Sequence, residues 1–134
     1  RDCSSEPGAG AAGGLGFGLR CFLGARLQAG FDLFARKTKL RQRLRTVDLV
    51  ITGEGMIDGS TLMGKGVGRI AEWCRELKIP CVGLAGTVMA GSKTGKCFTQ
   101  VHGLIEITTG EKAKRRAAFW LEQLAARVGR DWKE

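Results

Sequence analysis

Short apolar runs alternate along the chain with stretches in which apolar residues recur every three or four positions. Val47-Asp48-Leu49-Val50-Ile51-Thr52 is β-branched and mostly apolar, which predicts a buried strand. A polar, glycine-rich loop is expected from Gly53 to Gly66. Val67, Ile70, Ala71, Cys74 and Leu77 then follow the spacing of one helix face. Pro80–Ala85 predicts a second buried strand, Gly86–Phe98 a loop, and Gly103–Thr108 a third strand. Thr108 and Glu111 have capping-box spacing ahead of a helix that buries Ala117, Ala118, Leu121, Leu124, Ala125 and Val128. Upstream, a glycine loop is expected to enter a helix around Gly14–Gly24, and Phe31–Leu44 carries a rough helical stripe.

Buried strands alternating with amphipathic helices predict an α/β fold, a Rossmann-like parallel sheet with helices on both faces. Ligands in such sheets sit beyond the carboxyl ends of the strands. That places the expected chemistry in the loops Gly53–Gly66 and Gly86–Phe98.

The 134 residues suffice for one domain, and 43% apolar with 26% charged residues excludes a disordered chain and a membrane protein. Gly8–Leu19 is apolar but too short to span a bilayer. The chain begins at Arg1 rather than Met and shows no signal-peptide pattern, so a portion of something longer is expected. The net charge of +9 favours anionic partners without choosing among them. Five cysteines without a CxxC pair, and a single histidine, argue against a zinc site or a disulfide framework and for reduced thiols in the cytoplasm. His102 and the cysteines read as packing or surface residues.

Three segments carry candidate chemistry. Gly8-x-Gly10-x-x-Gly13 matches the dinucleotide fingerprint in letters, but no strand precedes it. Close helix packing and a phosphate-facing helix N-terminus fit the same residues. Gly59–Lys65 spaces its glycines as a nucleotide phosphate loop does, yet Gly66 stands where Ser or Thr should hold magnesium. Lys65 suits either phosphate or solvent. Glu54 and Asp58 could hold Mg²⁺, take a hydroxyl proton, or cap the loop. The basic run Arg36–Arg45 spreads its charge around a helix without interleaved aromatics. A solvated face is therefore expected and nucleic acid is not, although a basic α/β module binding nucleotides or nucleic acid without catalysis is the alternative reading.

Taken together, PGAGAAGGLGFGLRCFLGA at Pro7–Ala25, DLVITGEGMID at Asp48–Asp58, LMGK at Leu62–Lys65 and IPCVGLAG at Ile79–Gly86 resemble the bacterial glycerate kinase family of the type that yields 2-phosphoglycerate. The resemblance runs from about Pro7 to Ile107. It implies ATP-dependent phosphorylation of glycerate with Mg²⁺, no membrane, and two α/β domains flanking a cleft. Residues 1–134 would be the C-terminal part, mostly the Rossmann-like domain, and inactive when isolated. By motif position it implies Asp58, Glu54 and Lys65 as catalytic residues and Glu54 and Asp58 as metal ligands. Gly53, Gly55, Gly64, Ser60, Thr61, Gly10, Gly13 and Gly14 would line the cofactor. Met56, where relatives carry a basic residue, and Ser60-Thr61, where they carry Gln-Ser or Gln-Thr, depart from the pattern, as do Val67, Arg69 and the basic Arg36–Arg45 stretch.

Overall fold

The computed structural model describes residues 4–62, 66–89 and 96–132. The chain divides into two compact units, Arg1–Leu40 and Arg41–Glu134.

The first unit holds α1 (Ala11–Leu23) and α2 (Gly30–Lys37). Regular helix in α1 starts only after Gly14, because Ala12, Gly13 and Gly14 have φ of 51°, 68° and 94°. Glycine takes that left-handed backbone at little cost, which accounts for Gly13 and Gly14. A methyl on Gly16 would lie 2.3 Å from the Gly8 carbonyl oxygen, so the glycine run folds back tightly on the helix it precedes. Phe17 N–H donates to the Ala9 carbonyl, and the Arg20 guanidinium pairs with Glu6 at 2.9 Å, holding this return in place.

The expected single helix over Phe31–Leu44 is instead broken. Thr38 ends α2, Lys39 has φ 52°, and a short α3 (Leu40–Leu44) follows. The basic run therefore crosses the boundary between the two units and is not one helix face.

The second unit is built on three parallel strands in the order β1 (Val50–Ile57), β2 (Cys81–Val88) and β3 (Gln100–Gly103). β1 leads through a 3-10 turn (Gly59–Leu62) into α4 (Gly66–Leu77), close to the expected helix. β3 is followed by a second 3-10 turn (Leu104–Glu106), α5 (Gly110–Arg115) and α6 (Ala117–Asp131). Alternation along β2 sends Val82 and Leu84 toward α5 and α6. There Val82, Leu104, Ala113, Leu124 and Val128 form the core. Cys81 meets the fully buried Cys74 of α4 on the other face. Helices thus cover both faces, as expected.

Five expectations need correction. β1 starts three residues later than predicted and runs through Gly53–Ile57, because pairing with β2 satisfies a backbone whose glycines carry no strand signal of their own. β2 likewise continues to Val88. The third strand is Gln100–Gly103 rather than Gly103–Thr108: Glu106 reaches back to accept the Gly103 N–H at 2.7 Å, and Leu104–Glu106 close into a 3-10 turn. The C-terminal helix is capped by Thr109, not Thr108, and breaks at Arg116, whose φ −138°, ψ 50° is not helical. Of the six α6 residues expected in the core, Leu124 and Val128 are buried, whereas Ala117, Ala118, Leu121 and Ala125 are exposed. They border open, mostly apolar cavities on the β1 side of the sheet.

Candidate functional site

The carboxyl end of β1 and the turn after it bring four of the singled-out side chains together. Glu54 is a strand residue, half-buried, paired in register with Ala85 of β2. Asp58 is the first residue beyond the strand, and Ser60 and Thr61 sit in the 3-10 turn that follows.

The turn is tied by its own polar groups. Thr61 N–H donates to the Asp58 carbonyl at 3.1 Å. Ser60 donates twice to Asp58 Oδ1, from its N–H at 2.8 Å and from its hydroxyl at 2.6 Å. The Thr61 hydroxyl donates to Glu54 Oε1 at 2.6 Å, while Thr61 Oγ1 accepts the Asp58 N–H at 3.2 Å. One hydroxyl thus links the strand carboxylate to the backbone that carries the second carboxylate. Asp58 caps the turn through Oδ1, the local bonding that short acidic side chains favour.

The glycines around this turn differ in kind. Gly53 is a point of close approach, since a methyl there would lie 2.3 Å from the Leu84 carbonyl oxygen, and Gly86 is similarly confined, 2.7 Å from the Gly55 carbonyl oxygen. Gly55 itself faces open space. A cavity of about 570 Å³ borders the same strand end, lined by Ile51–Gly55, Leu84–Gly86, Leu104, Ala117, Ala118 and Leu121. It is largely apolar, with Glu54 the one charged residue among the described residues that line it.

Gly64 and Lys65 lie outside the described residues, as do residues 90–95 of the expected second loop. Gly10, Gly13 and Gly14 belong to the first compact unit, where a methyl on any of them would meet nothing within 4 Å.

Other groups with catalytic potential are accounted for structurally. His102 sits between Glu106 (3.4 Å) and Gln100 (3.2 Å). The Glu106 carboxyl is raised by burial, but bonds from the Gly103 N–H, His102 and Arg127 outweigh this and hold it below its usual range. Burial pushes the Cys81 thiol up to about 12 and raises Cys74, so neither offers a thiolate. Among the described residues no group of three or more His, Cys, Asp or Glu side chains gathers into a metal cluster. No described helix is long and apolar enough to cross a membrane.

The family model for the glycerate kinase family matches residues 1–133. The chain belongs to the glycerate kinase family. It is 41% identical over 91 residues to a glycerate kinase of Halalkalibacterium halodurans, covering 68% of this chain and 24% of that protein. It is 35% identical over 124 residues to a glycerate kinase of Bacillus subtilis, covering 88% of this chain and 32% of that one. Glycerate 2-kinase of Escherichia coli K12 is 39% identical over 87 residues, 65% of this chain and 23% of its own length. A crystal structure from Salmonella typhimurium LT2, provisionally assigned as a glycerate kinase 2, superposes with a TM-score of 0.52 at 34% identity over 72% of this chain and 23% of that one. The chain therefore spans about a third or less of these glycerate kinase relatives.

Sequence reasoning named all four residues of this cluster. It missed that Glu54 stands on the strand and that Thr61 bonds to it. A threonine seven residues after a strand glutamate carries no signal of such a bond.

Proposed function

We propose that this chain supplies the phosphoryl-transfer turn of an ATP-dependent glycerate kinase that forms 2-phosphoglycerate in the cytoplasm. The observation that carries the proposal is the pair of carboxylates, Glu54 near the carboxyl end of a parallel strand and Asp58 just beyond it, tied together by the hydrogen bonds of one turn in a chain of this family. That is where ligands of parallel α/β sheets bind.

Carboxylates at this strand end suit Mg²⁺, which is bound through one or two carboxylates with phosphates and water completing its shell. When bound, Mg²⁺ would neutralise charge on the phosphates during transfer. Glu54 would hold it, with one carboxylate oxygen fixed by Thr61. Asp58, at the tip of the turn, would align the glycerate hydroxyl and accept its proton. Lys65, a few residues further on, would offer positive charge to the phosphates. Ser60, Gly55 and Gly64 would line the nucleotide side. Such catalysis is positioning and charge neutralisation, so it needs rigid carboxylates more than a reactive nucleophile.

The test is incubation of the whole protein with glycerate and Mg²⁺-ATP, with ³¹P NMR identifying the product. The expected result is a phosphomonoester on the 2-hydroxyl from the whole protein and none from residues 1–134 alone. Absence of any phosphoglycerate from the whole protein refutes the activity, and a 3-hydroxyl product refutes the regiochemistry.

A further inference from the structure

We infer that Thr61 is a positioning residue, which acts through Glu54 and does not touch nucleotide or glycerate. The inference rests on the proposed kinase reading and deepens it. Thr61 is the one fully buried polar side chain among the described residues, with 0% of its surface exposed. A group so enclosed has no surface to offer a ligand. Its hydroxyl is used in both directions within the protein, donating to Glu54 Oε1 at 2.6 Å and accepting from the Asp58 N–H at 3.2 Å.

The bond to Glu54 is the shorter, and its acceptor is a carboxylate, which makes it the stronger kind of hydrogen bond. It fixes one oxygen of Glu54, and nothing among the described residues bonds Oε2. The Glu54 carboxylate is thereby aimed by a residue seven positions away in sequence, across the turn that carries Asp58. Because the same oxygen holds the Asp58 N–H, the two carboxylates keep a defined relation to each other. A role limited to closing the turn would need the Asp58 N–H bond but not the bond to Glu54. Supporting partners of this sort orient the groups that contact a metal, and losing one typically costs about 10–100-fold in metal affinity or activity.

The experiment uses the whole protein carrying Thr61→Val, Thr61→Ser, Glu54→Gln and the double variant Glu54→Gln/Thr61→Val. Steady-state kinetics are measured with glycerate and Mg²⁺-ATP, and Mn²⁺ affinity by electron paramagnetic resonance. Thr61→Val keeps the side-chain shape and removes the hydroxyl. It is expected to lower kcat and Mn²⁺ affinity by about tenfold or more, with KM for glycerate changed by less than about threefold. Thr61→Ser keeps the oxygen and should restore both to within about threefold of wild type. The double variant should lose no more than Glu54→Gln alone, because a positioning residue has nothing left to position. Additive losses in the double variant, or Mn²⁺ affinity unchanged in Thr61→Val, would overturn the inference. If Thr61→Val does not fold, Thr61→Ser decides: retained turnover and Mn²⁺ affinity support it, and a tenfold loss with the hydroxyl present contradicts it. A wild-type protein inactive on glycerate defeats the kinase reading instead, and the Mn²⁺ affinities then still decide the role of Thr61.

Discussion

Asp58→Asn will lower kcat in the whole protein by about 10²-fold or more, the scale of losing a general base, and leave the fold intact. The substitution separates the two things Asp58 does. The bonds it accepts from the Ser60 N–H and hydroxyl, at 2.8 and 2.6 Å, require an acceptor oxygen, and an asparagine side-chain oxygen supplies one. The main-chain bonds of the turn, Thr61 N–H to the Asp58 carbonyl and the Asp58 N–H to Thr61 Oγ1, do not involve the side chain at all. What asparagine lacks is the negative charge and the capacity to take a proton. Circular dichroism and thermal melting should therefore match wild type while turnover collapses. Near-normal turnover in a folded Asp58→Asn protein would reduce Asp58 to a turn cap.

Gly53→Ala will be the most damaging small change in the sheet. Gly53 stands opposite Leu84 in the β1–β2 register, and an added methyl would sit 2.3 Å from the Leu84 carbonyl oxygen. That obstacle is backbone in a paired strand and cannot rotate aside, so β1 and β2 must separate locally. Overpacking of this kind costs about 1–3 kcal/mol and sometimes more. Gly55→Ala is the internal control, because a methyl at Gly55 meets nothing within 4 Å. It should change stability by less than about 1 kcal/mol, the size of an ordinary glycine backbone effect. Urea unfolding of the two variants beside wild type measures the difference directly. Equal midpoints would show that Gly53 is not held by the strand contact.

This contrast also marks what could be read before the fold was known. Gly53 and Gly55 look alike in the motif, and both were expected at a cofactor, yet only pairing with β2 reveals that one is sterically required. The helix over Gly66–Leu77 was legible because Val67, Ile70, Ala71, Cys74 and Leu77 repeat at helical spacing, a local property. The extension of β1 through Gly53, Glu54 and Gly55 was not, since its stabilisation comes from Gly53↔Leu84 and Glu54↔Ala85 pairing, which is non-local. Leu104-Ile105-Glu106 misled for a related reason. Its apolar pattern suits a strand, but the Glu106 carboxylate captures the Gly103 N–H and turns the backbone instead. At the site, Glu54, Asp58, Ser60 and Thr61 were legible as residues from the motif. Their connections were not, because the Thr61–Glu54 bond depends on a turn geometry that sequence spacing does not encode.

The central claim is that the Glu54–Thr61 turn is where the transferred phosphoryl group sits. The most direct measurement is paramagnetic broadening of backbone amide resonances in the whole protein on titration with Mn²⁺-ATP. The account predicts that broadening begins at, and is strongest for, the amides from Glu54 to Thr61, and that Glu54→Gln abolishes it there. Broadening centred on another surface, with the amides of this turn left sharp, would contradict the account.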